Sequence, residues 1–268
     1  MEHDPERILS GIFDAEQMKD AGFDEAGPLS VRNGAFKIAQ ISQSSPYPCS
    51  DNIISVRLQS LVPMTAEQRT RIEIYSLSNA RSISGTDDLG LYTSIDLTTK
   101  DLRVKSPVSG NAGFGHWNDD ADKLEFEVTC RVEAGVILVL YFKLVNPAFH
   151  QWAPTELYVK SSNLPDGQLL DYPPSNVPLP GIYSNAEDYG ETAWPMFVRK
   201  PAFVVAEATQ SSSNPCDVNR ISIALSTNVP LVKNCDPKLL IKGLAGTATT
   251  SNTLDILGPD QGTMMFAH

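Results

Sequence analysis

Gln43-Ser44-Ser45-Pro46-Tyr47-Pro48-Cys49-Ser50-Asp51-Asn52-Ile53-Ile54-Ser55-Val56-Arg57-Leu58 returns 167 residues later as Gln210-Ser211-Ser212-Ser213-Asn214-Pro215-Cys216-Asp217-Val218-Asn219-Arg220-Ile221-Ser222-Ile223-Ala224-Leu225. Upstream, the same offset carries Pro28-Leu29-Ser30-Val31-Arg32-Asn33-Gly34-Ala35-Phe36 onto Pro195-Met196-Phe197-Val198-Arg199-Lys200-Pro201-Ala202-Phe203. Downstream it carries Val62-Pro63 onto Val229-Pro230 and Leu77 onto Leu244. Over residues 28 to 79 this makes about 18 identities in about 52 ungapped positions, an internal repeat by any reasonable measure. A fainter pairing of Gly11-Ile12-Phe13 with Gly181-Ile182-Tyr183 makes the N-terminal residues look like the link before the second copy. Four segments are expected: a linker-like leader at 1–27, a complete unit at 28–162, a Pro-rich linker at 163–194 and an incomplete second copy at 195–268. The sequence reads as though cut from a tandem array.

Within the first copy, strand signals dominate. Ile54, Val56 and Leu58 alternate with Ser55 and Arg57, Arg71-Ile72-Glu73-Ile74-Tyr75 alternates again, and so does Leu124-Glu125-Phe126-Glu127-Val128. Val136-Ile137-Leu138-Val139-Leu140-Tyr141-Phe142 is apolar on both faces, as a central strand would be, and Leu157-Tyr158-Val159 suggests a last strand. Helix formers gather only in Asp14–Ala21, which predicts a short N-terminal helix. The expected fold is all-β, with antiparallel immunoglobulin-like sandwich modules in tandem. Tyr172-Pro173-Pro174-Ser175-Asn176-Val177-Pro178-Leu179-Pro180 reads as a semi-rigid extended spacer, with a loop folded back over its own sandwich as the alternative.

Composition narrows function by exclusion. The 268 residues carry 21 basic and 32 acidic side chains, a net charge of −11, which disfavours nucleic acid and anionic membrane as partners. No apolar run reaches the roughly 20 residues of a membrane-spanning helix, and the acidic start Met1-Glu2-His3-Asp4 does not read as a secretory signal. The histidines are His3, His116, His150 and His268, and no HExxH, GxSxG, Walker or GxGxxG pattern occurs. Neither an enzyme nor a cofactor is indicated.

Three sets of candidate residues remain. Cys49, Cys130, Cys216 and Cys235 are disulfide candidates, with Cys49–Cys130 and Cys216–Cys235 the pairings that keep each bond within one copy. Four reduced, buried thiols are the alternative. Asp119, Asp120 and Asp122 form an acidic cluster that could take calcium but reads better as a solvated turn, lacking the glycine and distal glutamate of an EF-hand. Trp117, Trp152 and Trp194, with Tyr183 nearby, are candidates for glycan stacking, although an isolated Trp in such a unit is more often a core residue. Asn-x-Ser/Thr sequons are absent, which leaves Ser/Thr-rich turns as the places for O-linked sugar.

Phe203-Val204-Val205-Ala206-Glu207-Ala208-Thr209-Gln210 through Cys216, Ile221 to Leu231, and Leu240 to Thr247 resemble tandem repeats in very large surface or secreted proteins of microalgae and other protists. Phe142-Lys143-Leu144-Val145-Asn146-Pro147 and Gln151-Trp152-Ala153-Pro154 resemble the closing motif of such a repeat. The resemblance implies β-sandwich units of extracellular architecture, without catalytic residues. The function expected is that of a structural module of a cell-surface or extracellular filament, its partners being copies of itself or neighbouring repeat units. A carbohydrate-binding or adhesive module is the alternative.

Overall fold

Ile54, Val56 and Leu58 are fully buried, and they form the middle of the longest strand of a β-sandwich. The computed structural model describes residues 34–82, 87–162, 164–171 and 194–244. The chain divides into Met1–Gly34 and Ala35–His268, and every element below belongs to the second unit. The helix expected over Asp14–Ala21 lies outside the described residues.

Chain order is β1 (Phe36–Gln43), β2 (Asp51–Ser60), β3 (Arg71–Tyr75), β4 (Arg81–Ser82), β5 (Asp88–Gly90), β6 (Val104–Lys105) and β7 (Phe114–Asn118). It continues with β8 (Lys123–Val128), β9 (Ile137–Val145), β10 (Tyr158–Ser161), β11 (Leu164–Leu169), β12 (Phe203–Gln210) and β13 (Ile221–Thr227). One antiparallel sheet has the order β1-β2-β9-β4. The other runs β11-β10-β3-β8-β7-β5, with β6 also on β8. The strands expected at Arg71–Tyr75, Leu124–Val128 and Leu157–Val159 are β3, β8 and β10.

The apolar run after Gly135 is indeed interior, since β9 lies between β2 and β4. Its pairing with β2 proceeds without a slip from Asp51↔Val145 to Gln59↔Ile137. Register matters because a one-residue shift would turn Leu138, Leu140, Phe142 and Leu144 away from the core. Those side chains meet Ile72, Ile74, Leu124 and Phe126 of the other sheet in a single buried cluster. In β7, Gly115 permits close approach to β8: a Cβ there would lie 2.6 Å from Leu124 Cδ1 and 3.0 Å from the Glu125 carbonyl oxygen.

On the second sheet, Arg71 and Lys123 both pair with Glu125. Burial alone would raise the Glu125 carboxyl, but hydrogen bonds and charge from Lys123 and Arg71 outweigh it and hold the group below the usual carboxylate range.

The segment expected to open the linker is part of the sandwich. Leu164–Leu169 is β11, paired with β10, and Asp171 bridges to Gln40 of β1. Gln168 explains the closure, because its side-chain amide donates to the Phe36 carbonyl at 2.7 Å and accepts from the Phe36 amide at 2.9 Å. Residues 172–180, where the prolines cluster, lie outside the described residues.

One buried polar group organises the end of the first sheet. Asn52 Oδ1 accepts from the Ser44 and Ser45 amides, both at 3.1 Å. Its Nδ2 donates to Gln43 Oε1 at 3.0 Å and to Asn146 Oδ1 at 2.8 Å. Asn146 Nδ2 in turn donates to the Ser45 and Tyr47 carbonyls. Thus Asn52 makes all four of its bonds inside the protein, and losing them strands several buried partners. Asn52→Ala should lower the stability of the full chain by about 3 kcal/mol, read from urea unfolding. The matching change Asn219→Ala, at an exposed position, should cost under about 1 kcal/mol.

Candidate functional site

The second copy begins by docking on the first. Its opening residues, Met196, Phe197 and Val198, are buried. Val198 exchanges backbone hydrogen bonds with Gln151, N to O, at 2.8 Å and 3.1 Å. The Gln151 side chain donates to the Met196 and Ser78 carbonyls and accepts from Asn79 Nδ2. Gln43 Nε2 donates to the Phe197 carbonyl at 2.9 Å, so the Asn52 network reaches directly into the docked segment. The Arg199 amide donates to the Pro46 carbonyl at 2.7 Å, and its guanidinium lies 5.7 Å from the Tyr47 ring centre. Val198 and Gln151 thus form an isolated antiparallel β-bridge, and the side chains of Gln151 and Gln43 fix the segment on either side of it.

A disulfide closes the same seam. Cys49 is bonded to Cys235, with their Cα atoms 5.7 Å apart, whereas Cys130 and Cys216 are exposed thiols. The pairings expected within each copy are therefore not made. Cys49 sits before the start of β2, while Cys130 lies near the other end, where Val132 bridges to Met64. Ten strand residues span about 30 Å, far beyond the roughly 7 Å that a disulfide tolerates between Cα atoms. Cys216 and Cys235 are likewise separated by β13.

Beyond the seam, the second copy repeats the first hairpin in register. Phe203↔Thr227 and Gln210↔Ile221 match Phe36↔Ser60 and Gln43↔Ile54, and the bulge between Phe36 and Ile38 recurs between Phe203 and Val205. Asn219 Oδ1 accepts from the Ser211 and Ser212 amides, and its Nδ2 donates to Gln210 Oε1. Hydrogen bonds from Ser212 and Asn214 hold the exposed Asp217 carboxyl, beside Cys216, below its ordinary value.

What differs is the covering. Phe36 is 5% exposed and Phe203 55%; Leu58 is 0% and Leu225 41%. Phe203, Ala206, Ile223, Leu225, Leu240 and Ile241 line an open apolar groove. Among the described residues, no third strand extends the β12–β13 sheet.

The other predicted residues are dispersed. Trp117, 2% exposed, is a core side chain whose indole N–H donates to Asp119, so it has no face for a sugar. Trp152 is 65% exposed and packs edge-on to His150 at 4.9 Å and beside Phe197 at 6.0 Å. The Trp194 carbonyl accepts from the Phe197 amide at the start of the docked segment. Asp122 braces a turn by accepting from the Leu77 and Asn79 amides, and Asp120 is exposed. Among the described residues, no three His, Cys, Asp or Glu side chains gather to hold a metal ion. Tyr183, His3 and His268 lie outside the described residues. The docked segment was not singled out as a site by sequence reasoning, although its signal was present in the echo of Pro28–Arg32 in Pro195–Arg199.

The disulfide and the docked segment should act together on one part of the chain. In Cys49→Ser, limited proteolysis followed by mass spectrometry should show cleavage within 200–235 accelerated at least about tenfold, as expected when a cross-link worth several kcal/mol is lost. Residues 36–161 should stay as resistant as in the parent chain.

Comparison with protein-family models, curated proteins and solved structures finds no match.

Proposed function

We propose that this protein is a non-catalytic structural unit of a cell-surface or extracellular filament, assembling through its tandem β-sandwich units. The observation that carries the reading is the seam, where one copy is seated on the preceding copy by a β-bridge, side-chain hydrogen bonds and a disulfide. A repeat whose start fits the end of its predecessor is built to propagate. The long-range disulfide supports an oxidising location. The uncovered apolar face of β12–β13 supports association, because exposed strand edges with apolar faces are ready templates for another chain. Mass photometry and electron microscopy of the purified chain test this. Concentration-dependent oligomers or filaments are the expected result, and a strictly monomeric chain with a protected second hairpin would overturn it.

A second reading, glycan adhesion, rests on Trp152 and its exposed indole beside His150 and Phe197. If it holds, soluble oligosaccharides should quench or shift tryptophan fluorescence in the parent chain and not in Trp152→Ala. Absence of any response in the parent across a glycan array removes this reading.

A further inference from the structure

We propose that the seam also forms between molecules: the second copy of one chain seats on the first unit of another copy of this chain, and Cys235 of the one bonds to Cys49 of the other. The proposal deepens the assembly reading and rests on it. The seam joins two separate stretches of chain. Gln43, Pro46, Cys49 and Gln151 make the seat, and Met196–Arg199 with Cys235 fill it. The Gln151–Val198 bridge, the Gln43 and Gln151 amides on the Phe197 and Met196 carbonyls, and the Arg199 amide on the Pro46 carbonyl require only that these stretches meet. The same atoms satisfy one another whether one molecule supplies them or two, which is the condition for exchanging an element between protomers.

Two further observations favour the exchange. Between Asp171, which bridges to Gln40, and Trp194, whose carbonyl accepts from the Phe197 amide, lie the 22 residues 172–193. A chain of that length reaches at most about 70 Å, and a sandwich of about 130 residues is roughly 35 Å across. The seat of an adjacent molecule is therefore within range. The hairpin that travels with the segment breaks no strand pairing when it moves, because its register bonds lie between β12 and β13 and β12 is exposed along its whole length. The two seams then differ by the tether alone. Such a tether holds the segment at an effective concentration of roughly millimolar, so the seam between molecules gains ground as the chain approaches that concentration. The disulfide fixes whichever seam has formed. Among the described residues each chain offers one complete seat and one segment that fills it, and a contact of this heterologous kind adds chains head to tail.

The exchange consumes no oxidant. The thiolate of a small-molecule thiol such as glutathione attacks the Cys235 sulfur of the Cys49–Cys235 bond and expels the Cys49 thiolate. The Cys49 thiolate of a neighbouring chain, freed in the same way, attacks the Cys235 sulfur of this mixed disulfide and expels the small thiolate. One disulfide breaks and one forms for each chain. The proton the thiol gives up on attack returns to it on release, so it acts as a catalyst.

The test mixes equal amounts of the full chain carrying light and heavy nitrogen, at about 10 μM and about 1 mM, in a glutathione redox buffer. After acid quenching and digestion, cross-linked peptides are weighed by mass spectrometry. Light–heavy hybrids of the Cys49 and Cys235 peptides report seams between molecules. Their share should rise at least about tenfold between the two concentrations and stand well above that of Cys130–Cys216 hybrids, which report random bonding of the exposed thiols. Complementary variants give a second readout. Cys49→Ser and Cys235→Ser, neither able to close its own seam, should form a covalent pair with each other, and Gln151→Ala in the Cys235→Ser chain, which supplies the seat, should cut the yield about tenfold through its lost hydrogen bonds. Hybrids absent at about 1 mM, or no more frequent than Cys130–Cys216 hybrids, would overturn the proposal. Filaments in which every Cys49–Cys235 bond lies within one chain would remove it while leaving the assembly reading standing.

Discussion

The carboxamide of Asn52 is the constraint on which the rest of this structure depends. It is fully buried, and it is tolerable there because two serine amides and two side-chain oxygens satisfy it completely. Its partners come from the β1–β2 turn, the end of β9 and the end of β1. Gln43 passes the network on to the Phe197 carbonyl. A polar group that would cost several kcal/mol if unpaired thus fixes where the hairpin turns, where β9 stops and where the next copy attaches.

Comparing the copies separates local from tertiary causes. The second copy reproduces the hairpin register, the bulge, three of the four asparagine bonds and the left-handed cysteine, with no further strand on the β12–β13 sheet among the described residues. Those features follow from Gln-Ser-Ser, Pro-Cys and Asn at fixed spacing. Burial does not follow from them: Ile221, Ile223 and Leu225 are exposed where Ile54, Val56 and Leu58 are sealed by β9 and the opposing sheet. Hairpin geometry is a short-range property of the repeat, while its stability as a core is a long-range one.

This division also explains what could be read from the residues alone. Alternation exposed β2, β3 and β8, and the apolar run exposed β9 as central, because each pattern reports the environment of its own strand. β11 was hidden, since Leu-Pro-Asp-Gly carries turn residues and becomes a strand only through β10 and the bonds of Gln168. The docked segment was legible as repetition but not as a contact, because Gln151 is 47 positions from its partner Val198 and nothing in its neighbours' periodicity marks it.

Cysteine pairing is where one-dimensional reasoning went astray, and the cause is geometric. Assigning each bond to one copy treats cysteines as near when they share a unit, but a sandwich strand is a rigid spacer. β2 holds Cys49 and Cys130 at opposite ends of the fold, and β13 separates Cys216 from Cys235 in the same way. A cysteine at the turn end of such a hairpin finds its partner on what lies beyond that end. In this chain what lies beyond the first turn is the following copy, held by Val198 and Gln151, so the bond that a single unit cannot make becomes the bond between units.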